Sequence, residues 1–244
     1  MVNEMWTKLT LAAAMSVAAV TAEAATMKAT WTGTVSSSYT QGGDFGAEGS
    51  ELDGQNFTLT YVFDTDLGYR YTDPGRVDYT YGGSYYYYYD EESPVLSTTL
   101  TIGGHARELM RGTSNDFGQI YVSDDSYYSY DQYYTYSEHY SSEQDGSYES
   151  SYVSAYVYQY AEFIGADNLE QAFSVDSFAG AYFSGYFSLY RYDAATGSYS
   201  SSYGSLTPET LTVSVAAVPL PASGLALLAA LGGLVAIRRR RQLA

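Results

Sequence analysis

The side chains best suited to chemistry are few. The sequence holds two histidines, His105 and His139, and no cysteine. Without thiols there are no disulfides, no thiolate metal ligands and no cysteine nucleophile. His105 follows the turn signal Gly103-Gly104, and His139 lies in a tyrosine-rich stretch, so both are expected to face solvent. No HExxH pair, nucleophile elbow or glycine-rich phosphate loop occurs. Paired carboxylates could hydrolyse a glycosidic bond, but 26 acids between residues 25 and 214 make chance pairs inevitable. The best cation candidate is Asp64-Thr65-Asp66-Leu67-Gly68, with Asp73 beyond it and Asp124-Asp125 as a weaker pair. Oxygen ligands at alternate positions of a tight turn suit calcium, and Asp64 and Asp66 would supply them. The loop lacks the later ligands and closing glutamate of an EF-hand, and the competing reading is a turn capped by aspartate.

The elements that must position these residues are strands. Phe57, Leu59, Tyr61 and Phe63 share one face of a period-two run, with Thr58 and Thr60 on the other. Leu96, Thr98, Leu100 and Ile102 line a second strand, closed by Gly103-Gly104. Trp31, Gly33 and Val35 indicate a third; Ile120 and Val122, after Phe117, a fourth; Phe187 and Leu189 a fifth; Leu211, Val213 and Val215 a sixth. Asp193-Ala194-Ala195-Thr196-Gly197 reads as a hairpin connection. Asn56-Phe57-Thr58 fits a glycosylation sequon but sits in mid-strand and reads as sheet. The pattern predicts an all-β, antiparallel β-sandwich, jelly-roll-like, over residues 25–214.

There are 30 tyrosines and nine phenylalanines. Tyrosine joins an apolar ring to a polar hydroxyl and suits a surface that is half dry and half wet. Two tyrosine-rich, low-complexity segments read as insertions, residues 79–92 and residues 121–160, the second with 13 tyrosines. Their aliphatic content is too low for a core of their own. They read as loops, or as long hairpins in which Tyr152, Ser154, Tyr156 and Tyr158 alternate, and residues 124–150 are expected to be dispensable for folding. Formal net charge is −17, and residues 25–214 carry 26 of the 28 acids against six of the 11 bases. Such a body repels phosphate backbones, which excludes nucleic acid as a partner class.

Both ends carry targeting patterns. Lys8 precedes an apolar run from Leu9 to Val20, and Ala22-Glu23-Ala24 is a small-x-small site. These are the parts of a secretory signal helix, residues 1–24, handled by export machinery and signal peptidase and cut between Ala24 and Ala25. At the other end, residues 215–244 hold Pro219 and Pro221, an apolar run reaching Ile237, and Arg238, Arg239, Arg240 and Arg241. The 23 residues from Val215 to Ile237 suffice as one transmembrane helix through about 30 Å of hydrocarbon. The arginines belong on the cytoplasmic side of the inner membrane, which leaves residues 25–214 outside.

The tail Val218-Pro219-Leu220-Pro221-Ala222, followed by an Ala/Leu/Gly run and an arginine cluster, resembles the VPLPA variant of the PEP-CTERM sorting domain. That resemblance implies an exosortase-like enzyme as partner, cleavage near the proline motif, and delivery to the cell surface or beyond. Leu220-Pro221-Ala222-Ser223-Gly224 is also similar to the LPxTG motif of sortase substrates. The 13 residues between Gly224 and Arg238 are few for such a tail. A plain uncleaved anchor is the remaining alternative. The body is similar to the β-rich ectodomains of PEP-CTERM proteins through Gly54-Gln55-Asn56-Phe57-Thr58, Phe63-Asp64-Thr65, Thr101-Ile102-Gly103-Gly104 and Gly204-Ser205-Leu206-Thr207-Pro208 before a last strand. The expected function is an exported, tail-sorted surface or matrix protein without catalytic activity. One alternative is a secreted module binding extracellular polysaccharide, calcium-assisted or not. Another is a hydrolase whose site carries no recognisable motif.

Overall fold

The computed structural model describes residues 26–83, 91–112, 115–125, 130–160, 163–165, 168–177 and 180–216. They form strands and turns, with no α-helix among the described residues. The strands are β1 (Thr26–Thr40), β2 (Asn56–Asp64), β3 (Tyr69–Asp73), β4 (Val77–Gly83), β5 (Val95–Ile102), β6 (His105–Met110), β7 (Asp116–Asp125), β8 (Tyr130–Ser142), β9 (Tyr148–Gln159), β10 (Phe173–Asp176), β11 (Tyr182–Asp193) and β12 (Ser198–Val215). All pairings are antiparallel, in the order β3-β4-β7-β8-β9-β11-β12-β1-β2-β5-β6, and β10 pairs with the far part of β12. The body is thus one continuous sheet, curled on itself, where a sandwich of two sheets was expected.

The curl brings distant strands face to face. Trp31 Nε1 on β1 donates to Thr135 Oγ1 on β8 at 3.1 Å, and Tyr61 Oη on β2 donates to the Val153 carbonyl on β9 at 3.0 Å. Ser151 Oγ on β9 donates to the Leu109 carbonyl on β6 at 2.6 Å. Between these layers lie Met27, Trp31, Phe57, Leu59, Phe63, Leu100, Ile102, Ile120, Val122, Val153, Val157, Phe187 and Leu211. In β2, residues 57, 59, 61 and 63 are buried and the alternate positions are not, as the period-two pattern requires. Leu59 is fully buried. Leu59→Asp would bury an unpaired carboxylate and is expected to lower stability by about 3 kcal/mol or more, read as a shift of the urea midpoint.

Bulges explain where the simple alternation fails. A register shift beside Phe63 leaves Leu96 unpaired and buries Val95, so Leu96 does not face the core as expected. Gly204 to Pro208 does not precede the last strand but runs inside β12. Pro208 lies opposite Gly33 at a bulge, in the gap between the stretches of β12 paired with β11 and with β10. There its missing N–H breaks no ladder. Gly33 is required at the same bulge, because a Cβ would stand 2.1 Å from the Thr207 carbonyl oxygen. Val215, expected on the inward face, is exposed at the strand end.

The largest correction concerns residues 121–160. This segment is not an insertion beside the sheet; it supplies the end of β7 and all of β8 and β9, in mid-sheet. Its inward residues are Asp131, Tyr133, Thr135 and Ser137 on β8 and Ser151, Val153, Ala155 and Val157 on β9, all buried. A core needs few aliphatics from these strands because Trp31, Tyr61 and Phe187 come from the others. In the other segment, Tyr79 to Gly83 belong to β4, and residues 84–90 lie outside the described residues. The signal and tail segments also lie outside them, and no helix among the described residues is long and apolar enough to cross a membrane.

Candidate functional site

The outward face of this sheet is built of tyrosine. Alternation sends Tyr134 and Tyr136 outward from β8 while Tyr133 goes inward, and Tyr152, Tyr156 and Tyr158 outward from β9. Strand register then lines the rings up. Tyr71, Tyr79, Tyr121, Tyr134 and Tyr156 are direct partners in turn across β3, β4, β7, β8 and β9. Ring centres are 5.3 Å apart for Tyr71–Tyr79 and 6.1 Å for Tyr79–Tyr121, at 30° and 25°. The row turns a corner through Tyr136–Tyr152 at 5.2 Å and Tyr152–Tyr186 at 5.7 Å. Cross-strand aromatic pairs each stabilise a sheet by about 0.2–1 kcal/mol, so the face is stiff as well as aromatic. Burial raises the Tyr134 and Tyr136 hydroxyls well above the usual phenol range. A hydrogen bond with Tyr148 moves Tyr190 up to about 12. The Tyr134, Tyr136 and Tyr190 hydroxyls therefore stay protonated at neutral pH, and Tyr136 donates its hydroxyl to Glu138 on the same face at 2.6 Å.

The β8–β9 and β11–β12 hairpins end side by side around an open groove of about 450 Å³ lined by Glu143, Asp145, Tyr148, Glu149, Arg191 and Tyr192, among others. Alternation turns Glu149 and Arg191 to the side opposite the Tyr148 and Tyr192 rings, so the groove borders both faces of the sheet. The Asp193 turn holds its shape, as Asp193 Oδ1 accepts the N–H groups of Ala195 and Thr196 at 2.9 and 3.1 Å. Arg191 Nε donates to Glu149 at 3.2 Å, and that bond raises its pKa further. Beside the groove Tyr148 stacks on Tyr190 at 5.6 Å, and Tyr199 lies tilted against Tyr192 at 4.6 Å. Flat rings beside carboxylates and a guanidinium are the groups that grip a sugar ring by stacking and by its hydroxyls.

The residues singled out for other chemistry are committed to structure. Asp64 Oδ1 accepts the Asp66 N–H at 3.0 Å, a turn cap. Asp73 pairs with Arg76 at 3.4 Å. Asp124 is paired opposite Asp131 in the β7–β8 ladder. Among the described residues, no three His, Asp or Glu side chains are grouped to hold a metal. The buried carboxylates are others, which sequence reasoning did not single out. Asp78 takes Arg70 in a two-pronged pair at 3.0 and 2.7 Å, with Thr72 Oγ1 and the Leu169 N–H. That bond, ahead of Glu170, raises the Arg70 pKa. Asp131 Oδ2 accepts the Phe163 and Ile164 N–H groups at 2.7 and 2.8 Å. Asp44 accepts from Arg107 and Ser202. Each carboxylate ties two strands or a strand and a loop, and each already has its donors.

His105 is exposed at the β5–β6 turn, but His139 is not free in solvent. Its Nδ1 meets buried Asp116, its partner across β7 and β8. This bond, and then the carboxylate's charge, raise the His139 pKa above 6.5, against an opposing effect of burial. The folded state therefore binds the proton more tightly than the unfolded chain. The stabilisation is complete below the unfolded value and is lost as pH rises through the higher folded one. The melting temperature is expected to fall as pH rises from about 6, and His139→Gln to flatten that dependence, read by thermal denaturation at a series of pH values.

The sorting and cleavage residues Ala22, Ala24, Ala25, Val218, Pro219, Leu220, Pro221, Ala222 and Arg238 to Arg241 lie outside the described residues. No family model, no curated protein and no solved structure matches the chain.

Proposed function

We propose that this chain is an exported surface or matrix protein without catalytic activity, whose tyrosine face and hairpin-end groove hold extracellular polysaccharide. The observation that carries the binding part is the cross-strand row Tyr71, Tyr79, Tyr121, Tyr134 and Tyr156, with a second set of ring contacts, Tyr148 on Tyr190, beside the groove. An aromatic plane is a good site for the apolar faces of a neutral sugar. The acidic body repels uronic or sulfated polymers, so a neutral glucan fits best. In this reading residues 1–24 are a cleaved signal helix and residues 215–244 a transmembrane sorting signal, cut at its prolines by an exosortase-type enzyme. The support is the residue pattern of each end and the acidic, tyrosine-rich body between them.

Affinity electrophoresis through gels containing a neutral glucan tests the binding part. The protein is expected to be retarded, and the triple variant Tyr148→Ala, Tyr192→Ala, Tyr199→Ala to bind at least roughly tenfold more weakly, equal to about 1.4 kcal/mol. Circular dichroism should be unchanged, since the three rings lie at strand ends on the outward side, with Tyr199 57% exposed and Tyr148 and Tyr192 part-buried. Equal retardation of both proteins would remove the groove from the reading.

A further inference from the structure

We propose that Tyr192 with Tyr199, and Tyr158 with Tyr182, are sites of oxidative coupling, each pair closing into a dityrosine within one chain. This modification does not rest on the polysaccharide reading, although it shares Tyr192 and Tyr199 with it. Both pairs are direct partners in the ladder, Tyr192 with Tyr199 across β11 and β12, and Tyr158 with Tyr182 across β9 and β11. Their ring centres stand 4.6 and 4.9 Å apart, at 32° and 33°. A carbon–carbon bond between the carbons beside the oxygens needs the centres only slightly closer but the rings edge to edge, so the exposed ring must both approach and turn about its side-chain bonds. Tyr199 is 57% exposed and Tyr182 51%, so both are open to an oxidant and free to swing. The exposed Tyr160 differs, because its neighbours Tyr130 and Tyr158 lie at 74° and 86° to it, edge against face.

The oxidant class is hydrogen peroxide acting through a peroxidase. Each tyrosine loses one electron and its phenolic proton to become a phenoxyl radical. The two radicals join through the ring carbons beside the oxygens, and each joined carbon then releases its hydrogen to restore a phenol. Two electrons and two protons leave per link, and one peroxide is reduced to two waters. Coupling within the chain is favoured twice over. Held partners react at a very high effective concentration. A second copy carrying the same net charge of −17 is kept away.

The consequence suits a chain without cysteine. Extracellular domains gain covalent ties from disulfides, and this sequence has none to form. The two links would tie β9 to β11 and β11 to β12, in the middle of the sheet. The test treats the full-length protein in detergent with a haem peroxidase and hydrogen peroxide. Dityrosine fluorescence is followed, and linked peptides are mapped by mass spectrometry as pairs short of two hydrogens. The expected product is monomeric and carries the 192–199 and 158–182 links. Tyr199→Phe and Tyr182→Phe keep the ring and the stack but cannot form the radical. Each should abolish its own link and leave the other, and together they should lower fluorescence at least twofold. Links spread over other tyrosines, covalent dimers as the main product, fluorescence unchanged in the double variant, or no dityrosine at all would overturn the proposal.

Discussion

Deleting residues 124–150 is expected to abolish cooperative folding. The segment holds the last two residues of β7, all of β8, the β8–β9 turn and the start of β9. Its loss removes the fully buried Tyr133, whose ring contacts Trp31 at 6.2 Å and Phe173 at 5.3 Å. A buried large aromatic is alone worth about 3–5 kcal/mol when removed. The deletion also removes Thr135, the acceptor for the buried Trp31 Nε1, and Asp131, which holds the Phe163 and Ile164 N–H groups. β7 and β9 would each lose the partner strand between them, and β9 its first three residues. These losses together exceed the whole stability of an ordinary domain, about 5–15 kcal/mol. A denaturant titration of the deletion variant should show no transition; a cooperative transition near the wild-type midpoint would mean that β8 is not part of the core.

The second large effect concerns the tail. Replacing Pro219 and Pro221 together by alanine is expected to leave export and membrane insertion intact but to stop processing entirely. Each proline lacks an N–H and pushes the residue before it toward extended geometry, which opens the outer end of the apolar run for a protease. Alanine, a strong helix former, would favour a continuous helix through the proposed span. In whole-cell blots the variant should accumulate at full length in the inner membrane, and the wild type should be shorter. Trimming of the variant at the same place would show that the prolines are not the recognition element, and the tail would then be cut by another rule or serve as a plain anchor.

How far the fold could be read from sequence depends on what each strand buries. β2 was legible because Phe57, Leu59, Tyr61 and Phe63 are all large and apolar on one face. β8 was not, because its buried face is Asp131, Tyr133, Thr135 and Ser137, and its exposed face is also tyrosine and polar. Thr135 is tolerable there because Trp31 Nε1 reaches it from the opposite layer and the Ala155 carbonyl from neighbouring β9, and sequence cannot say which strands will face each other. The bulges at Leu96 and Pro208 shift alternation by one residue and leave little local trace. The His139–Asp116 pair was hidden for a similar reason, since only the β7–β8 register brings these residues together. For the surface, composition announced tyrosine, but register turned scattered tyrosines into rows. The hairpin at Asp193 to Gly197 was legible because its chemistry is local: the aspartate caps its own turn.

The account depends most on the protein standing outside the cell without its tail. Intact-mass measurement of the protein recovered from the cell surface and from the medium tests this in one step. The mass should correspond to a chain that begins at Ala25 and ends within Pro219 to Ala222, without Arg238 to Arg241. A mass that retains Met1, or one that retains the four arginines, would contradict it.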